Sequence, residues 1–496
     1  MQIPIAGRRL ALLTLATLAL ATPAPAQFGG GPEGPKLKSP VANQVFQRDD
    51  AGYATIALVA PEGAGDFKVV NASISAVGNP AGLSTVKFAD GVFSRVPAGG
   101  PYFISIEYRK GETAYVARVG PVFVGDLWVL AGQSNMEGVG NLRDVTPPND
   151  RVMLLGMDGA WTRAEEPLHW LVDSPDPVHS GDPNTRAERS AAQHKSRGKG
   201  AGLGLPFAEA MVKATNVPVG LVACAHGGTS MAQWDPAKKG EGGNSLYGSM
   251  IRQVELAGGK VRGVLWYQGE SDAFGGPAVF GAFPKVFTDF IAAVRADLGR
   301  SDLPFYQVQI GRVILPADVA GWDAVREAQR TLPAEIPNTG VASTVDLELD
   351  DLIHVGTQGL KRLGRRLANL ALHDLAWPTG ATTPTFGRVV NGGTHQLVVK
   401  FADVNQGSAD GLAPGLQPAR RVTGFSIRGA DGATLPIIFE AAVGQARNTV
   451  VLKLTGPVPE KATLWYGQGL DPHCNLVDGR DMAVPAFGPI PLDGLK

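Results

Sequence analysis

Residues 131–137 read Ala-Gly-Gln-Ser-Asn-Met-Glu, directly after the apolar run Leu127-Trp128-Val129-Leu130. A serine set where a buried strand gives way to a glycine-containing turn stands where a hydrolase exposes a nucleophile. Its hydroxyl reacts poorly until a base takes the proton. The base in turn needs a carboxylate on its other ring nitrogen to hold one tautomer. Asp351-Leu352-Ile353-His354 supplies both groups, at a spacing that brings side chains to one side of a helical turn. Ser134, His354 and Asp351 therefore read as nucleophile, base and orienter.

Acyl transfer also requires donors for the developing oxyanion. Ala225-His226-Gly227-Gly228-Thr229-Ser230 offers glycine amides, and Trp266-Tyr267-Gln268-Gly269-Glu270-Ser271 offers a side-chain amide. Ser134 N–H, Gly228 N–H and the Gln268 side chain are the expected donors. Gln133, Glu270, His226 and Trp234 are the expected substrate contacts, with Glu270 either binding substrate or orienting a neighbour. His226 is the rival base, but no carboxylate lies at a matching offset. There is no GxSxG, so the nucleophile does not sit in the elbow of the α/β-hydrolases.

These residues need a scaffold that brings distant segments to one place. Between about residues 125 and 378, short apolar strands (Leu127–Leu130, Val217–Ala223, Val261–Tyr267, Phe305–Ile310, Gly340–Val345) alternate with helical stripes. Val279, Phe283, Phe287, Phe290, Val294 and Leu298 form one stripe, and Leu360, Leu363, Leu367 and Leu370 another. Alternation of this kind implies a parallel sheet wound on both faces, with its site at the carboxyl ends of the strands. Ser134, Gly227 and Gln268 all follow such ends. Residues 147–202 are polar with little periodicity, which suggests a long irregular loop shaping the substrate site. Residues 27–124, which begin with a Gly/Pro/Lys-rich linker over 27–39, and 379–496 carry short β-type runs with Gly and Pro turns, as β-sandwich-like modules do.

The blocks Gly-Gln-Ser-Asn-Met, Gly-Gly-Thr-Ser, Trp-Tyr-Gln-Gly-Glu-Ser and Asp-x-x-His, in this order, resemble the SGNH (GDSL-type) hydrolase superfamily. More narrowly they resemble its sialate O-acetylesterase and carbohydrate esterase family 6 branch. Gln44-Val45-Phe46-Gln47-Arg48 looks like the family's leading β-domain. Leu464-Trp465-Tyr466-Gly467, Pro472-His473-Cys474-Asn475-Leu476 and Pro485-Ala486-Phe487 look like its closing segment. The resemblance implies a three-layer α/β/α catalytic domain of flavodoxin-like topology with flanking β domains. It also implies removal of O-acetyl groups from sugars by Ser134, His354 and Asp351, with Gly228 and Gln268 in the oxyanion hole and no metal or cofactor. Many relatives have proline after the histidine where this chain has Val355, which leaves Asp350 as a neighbouring choice for the acid. A polysaccharide deacetylase is the alternative within the family. A carbohydrate-binding protein on a hydrolase scaffold is the alternative outside it.

Composition bounds the partners. The 496 residues include 45 Lys plus Arg and 46 Asp plus Glu, so no basic field draws nucleic acid or anionic lipid. Arg8-Arg9, the apolar stretch Leu10 to Ala21 and Ala24-Pro25-Ala26 have the form of a signal peptide cleaved after Ala26. A secreted or periplasmic protein with no later membrane segment is expected, its oligomeric state left open. Cys224 and Cys474 lie far apart, outside any CxxC or Cys/His cluster, and read as buried thiols. Trp161, Trp170 and Trp234, in expected loops, are candidates for stacking on sugar rings.

Overall fold

Six parallel strands carry the molecule's centre, in a computed structural model that describes residues 33–495 except 35, 61–67, 78–82, 408–411 and 419–420. The expected signal peptide, 1–26, lies outside the described residues. The strand order is Trp161–Arg163, Val152–Leu155, Val219–Ala223, Thr113–Gly132, Gly263–Tyr267, Phe305–Gln309, Thr339–Ser343. Every neighbour pair is parallel except the first, where Trp161–Arg163 runs antiparallel to Val152–Leu155. Residues 122–132 of the central strand are all buried. Parallel strands read as continuous apolar runs for this reason, since both their faces are covered.

The helices follow from the stripes. Leu360, Leu363, Leu367 and Leu370 of Thr357–Asp374 are buried in the central core, as are Phe283, Phe287, Phe290 and Val294 of Pro277–Asp297. Val279 departs from its stripe and is exposed. Pro277–Asp297 also corrects the expectation that no later segment is long and apolar enough to cross a bilayer, since by length and composition it is. Its phenylalanines instead pack against one another and against Phe305 and Trp266 of the sheet.

Residues 147–202 are less irregular than expected. They contain the edge strand Trp161–Arg163 and its neighbour Val152–Leu155, the helix Arg186–Ser196 and shorter turns. Val152–Leu155 is buried along its whole length, but four residues are too few to establish a period.

The flanking regions are β-rich. Residues 385–491 form two four-stranded antiparallel sheets, with Val399, Ile427, Leu452, Leu464 and Tyr466 in their shared core. Near the other end, Tyr53–Ala57, Val92–Pro97 and Lys87–Ala89 form a small sheet. Lys68–Ala76 pairs with Gly99–Lys110, which in turn pairs with the first part of Thr113–Gly132. That one strand therefore belongs to both the leading β region and the central sheet, and the boundary expected at 124/125 falls inside it. Cys224 lies in the central core and Cys474 in the closing one, both as free thiols.

The closing β region is tied to the centre by charge. The Arg366 guanidinium, on the helix after His354, is fully buried. It donates to both Asp346 carboxylate oxygens at 2.7 Å, to Ser343 O at 2.8 Å and to Asp481 O at 2.6 Å. Removing one member of such a buried cluster strands the others. Arg366→Met is expected to cost about 3–5 kcal/mol, read as a lowered urea midpoint against wild type; an unchanged midpoint would refute the tie.

Candidate functional site

Ser134 sits where the central strand ends, at the point where the strand order changes direction on either side of it. Loops diverge at such a point and leave a crevice. Gly132 has φ +131°, and a Cβ there would lie 2.2 Å from Tyr267 O, so only glycine lets the two strand ends approach. Gln133 N–H then donates to that same Tyr267 carbonyl at 2.8 Å. Ser134 opens a single helical turn, Ser134–Glu137, whose first N–H has no partner within the turn.

His354 reaches this serine from the loop ahead of Thr357–Asp374. Its Nε2 lies 2.9 Å from Ser134 Oγ, and its Nδ1 lies 2.9 and 3.0 Å from the two oxygens of Asp351. Asp351 also accepts from the Ile353 and His354 backbone amides and from Lys199 Nζ, the last at 3.0 Å. Partial burial would raise the Asp351 carboxyl. The hydrogen bonds from the His354 ring, the two amides and Lys199 outweigh burial and hold it well below the usual carboxylate range. The neighbouring Asp350 is turned elsewhere and accepts from Asn141 N–H and Nδ2. Between the two acids, the structure brings Asp351 to the imidazole.

A clamp invisible in the separate motifs joins them. Asn135 Oδ1 accepts from Val355 N–H at 3.0 Å, and Asn135 Nδ2 donates to Glu270 Oε1 at 2.9 Å. The residue after the serine thus grips the residue after the histidine and the acid of the Gln-Gly-Glu block. Burial raises the Glu270 carboxyl, with the Asn135 bond opposing it. Glu137 performs a similar service for the glycine loop. Its Oε2 accepts from Gly227 N–H at 2.9 Å and its Oε1 pairs with Arg197. A Cβ on Gly227 would come within 3.4 Å of Ser134 Cβ, so this loop lies directly against Ser134. Gly228, at φ +70° and exposed, is the next amide along.

The sequence model of the family described as "Carbohydrate esterase, sialic acid-specific acetylesterase" matches residues 124–373. The chain belongs to this family. It is a carboxylic ester hydrolase. It is also 30% identical over 281 residues to the probable carbohydrate esterase At4g34215 of Arabidopsis thaliana, covering 51% of this chain and 93% of that one. The structure of XAC1771, a carbohydrate acetylesterase from Xanthomonas citri, superposes with a TM-score of 0.62 at 24% identity. That likeness covers 92% of this chain and 99% of the other, and shows that the fold extends through both β-rich flanks.

Several expected contacts of the esterase are corrected by the structure. Gln268 is completely buried, and its amide donates to Thr229 O at 3.1 Å and to Asp272. Both its hydrogens are spent, so it has none left for an oxyanion. Gln133 is buried too, its Oε1 accepting from the Gly269 and Ser271 amides at 3.4 and 3.3 Å, which makes it a brace for the Gln-Gly-Glu turn. Glu270, 2% exposed, orients Asn135 and is not open to a sugar hydroxyl. Trp234 is fully buried, edge-on to Trp266, its indole N–H donating to Thr229. Trp161 is in the core, and Trp170 is covered by the His194 ring and the Arg197 guanidinium. Neither Trp161 nor Trp234 presents a free face to sugar. Among the described residues, no group of three or more His, Cys, Asp or Glu is placed to hold a metal ion.

Sequence reasoning missed Asn135, Glu137, Lys199 and Arg197. Only Asn135 and Glu137 carried a signal, by lying in the serine's own turn. Behind this turn His169 is fully buried, its ring set against the Glu137 and Leu130 backbone. Burial first, and Arg197 second, push its ring from 6.5 down to about 4. The unfolded chain therefore binds a proton that the folded protein refuses. Stability is full above pH 6.5 and falls as the pH drops toward 4. Relative to His169→Leu, the wild type is expected to lose about 3 kcal/mol between pH 7 and pH 4, measured by urea unfolding at each pH; parallel curves would refute it.

Proposed function

We propose that the protein is an exported serine esterase that removes O-acetyl groups from carbohydrates, O-acetylated sialic acids first among them, through a Ser134–His354–Asp351 triad. The observation that carries this reading is the unbroken line Ser134 Oγ, His354 Nε2, His354 Nδ1, Asp351, with each link at 2.9 Å. The family description supports the sugar and the acetyl group. The ordered blocks and the parallel sheet with the nucleophile at its carboxyl end support an SGNH-type central domain. The Arg8-Arg9, apolar and Ala24-Pro25-Ala26 sequence supports export with cleavage after Ala26.

In this mechanism Ser134 Oγ attacks the acetyl carbon while His354 Nε2 takes its proton. Asp351 holds the Nδ1–H tautomer and stabilises the imidazolium that forms. The carbonyl oxygen becomes an oxyanion facing the Ser134 and Gly228 amides. Collapse breaks the ester bond, and His354 gives its proton to the departing sugar oxygen. Water, deprotonated by His354, then attacks the acetyl-enzyme and releases acetate and free Ser134. With Gln268 committed elsewhere, the hole in this reading is built of backbone amides.

Ser134→Ala is expected to lower acetate release from 4-nitrophenyl acetate by about 10⁴-fold or more with the circular dichroism spectrum unchanged. Near-normal turnover would remove the mechanism. Asp351→Asn, which imposes the wrong tautomer on His354, is expected to lower kcat by about 10³–10⁴-fold with little change in KM, and a loss confined to KM would exclude the orienting role. Acetate release from 9-O-acetyl-N-acetylneuraminic acid against acetylated xylo-oligosaccharide decides the sugar.

A further inference from the structure

A second chain of hydrogen bonds runs up to the glycine loop beside Ser134. Arg252 pairs with the buried carboxylate of Asp176, and Ser249 Oγ donates to Asp176 Oδ2 at 2.6 Å. His179 Nε2 lies 3.1 Å from Ser249 Oγ, and His179 Nδ1 lies 3.0 Å from His226 Nδ1. The rings of His179 and His226 are only 26° from parallel planes. His226 immediately precedes Gly227, the glycine packed against Ser134. The proposed mechanism uses none of Asp176, Ser249, His179 or the His226 ring.

Proton bookkeeping fixes every link. Asp176, paired with a guanidinium, only accepts, so the single Ser249 hydroxyl proton points at it. Ser249 Oγ must then accept from His179, which puts the His179 proton on Nε2. His179 is neutral: it is buried, and burial, with His226 and His169 nearby, pushes its ring down to about 3. Its Nδ1 is therefore a bare lone pair. The 3.0 Å contact to His226 Nδ1 is a hydrogen bond only if His226 carries its proton there. Burial likewise holds the His226 ring below its ordinary value, so its other nitrogen, Nε2, is left unprotonated. No protein group hydrogen-bonds that nitrogen among the described residues, and the ring is partly open to solvent.

We infer that the Asp176–Ser249–His179 chain locks His226 as a hydrogen-bond acceptor that selects substrate, and that its partner is a free hydroxyl or amide N–H on the sugar bearing the acetyl group. A lone pair there attracts a neutral donor and repels a carboxylate, so it reads the sugar's uncharged edge. An acetyl ester without such a donor gains nothing from it. A site that pairs with a substrate donor discriminates against analogues that lack it. His226 acts in recognition, and Ser249 and His179 are positioning residues that act through it. The inference rests on the Ser134 esterase chemistry.

Two measurements on the full-length protein test it. In ¹⁵N-histidine NMR at pH 7, the signal lost in His226→Phe is expected to be the Nδ1–H tautomer in wild type, with Nε2 bare. An Nε2–H tautomer would overturn the inference. The second is the ratio of kcat/KM on an acetylated sugar to kcat/KM on 4-nitrophenyl acetate. The sugar is whichever of 9-O-acetyl-N-acetylneuraminic acid and acetylated xylo-oligosaccharide the wild type turns over faster. His226→Phe is expected to lower this ratio about tenfold, through KM for the sugar. Ser249→Ala, which frees the His179 tautomer, is expected to lower it about threefold, and Ser249→Thr to restore it. Unchanged ratios in a protein whose two activities both vanish in Ser134→Ala overturn this inference alone. Survival of both activities in Ser134→Ala overturns the esterase reading and this inference with it.

Discussion

A serine hydroxyl and an imidazole 220 residues apart in sequence meet at 2.9 Å, and every other feature of the centre makes sense as a means of holding them there. Neither side chain can impose the meeting alone, since one hydrogen bond adds only about 1 kcal/mol net. The backbone does the work. Parallel register aligns Tyr267 with Gly132, and the absent Cβ of Gly132 lets the two strand ends close. Asn135 then spans the remaining gap, one end of its amide on the Val355 N–H and the other on Glu270. An asparagine suits this position because a single planar group donates at one end and accepts at the other. An aspartate would offer no donor to Glu270 and would set two carboxylates against each other.

The electrostatic environment is asymmetric about the serine. On the His354 side, Asp351 is kept ionised by amides and by Lys199 while retaining partial contact with water. On the glycine-loop side the carboxylates are buried and raised: Glu137 by burial against the counter-pull of Arg197 and the Gly227 amide, Glu270 by burial against that of Asn135. A carboxylate charge is thus favoured beside the His354 imidazole and disfavoured beside the glycine-loop amides.

Much of the meeting of Ser134, His354 and Asp351 was legible in the chain because polar groups leave the core where strands end. Ser134, His354 and Asp351 each follow a strand of the parallel sheet, so hydrophobic pattern and chemical type pointed to the same positions. The misreadings have one physical origin: a residue type states what a side chain can do, not where its hydrogens are spent. Gln268 has the amide of an oxyanion donor, but Thr229 O and Asp272 take both its hydrogens. Trp234 lies among loop-forming residues, yet it is sealed against Trp266 and Phe290. Asn135 and Lys199 were passed over because their roles exist only through partners more than a hundred positions away. Val152–Leu155 was missed because a fully buried strand of four residues has no period to detect.

The β-rich flanks are continuous with the catalytic scaffold, not appended to it. Thr113–Gly132 leaves the leading β region as a half-exposed antiparallel strand and ends, without a break, as the fully buried strand that delivers Ser134. At the other end, Arg326 is buried while donating to the carbonyls of Gly467 and Gly469, and Gln309 exchanges bonds with Ala486 N–H and O. Arg366 joins Asp346, just past the last sheet strand, to Asp481. These are buried charged and polar groups satisfied across the boundary, so separating either side would expose them unpaired. Ser134 is thereby tied to the leading region by its own strand. His354, eight residues beyond Asp346 and twelve before Arg366, is tied to the closing region by that ionic cluster. Ser134 and His354 are each anchored in a different flank, and the distance between them is set by the sheet they share.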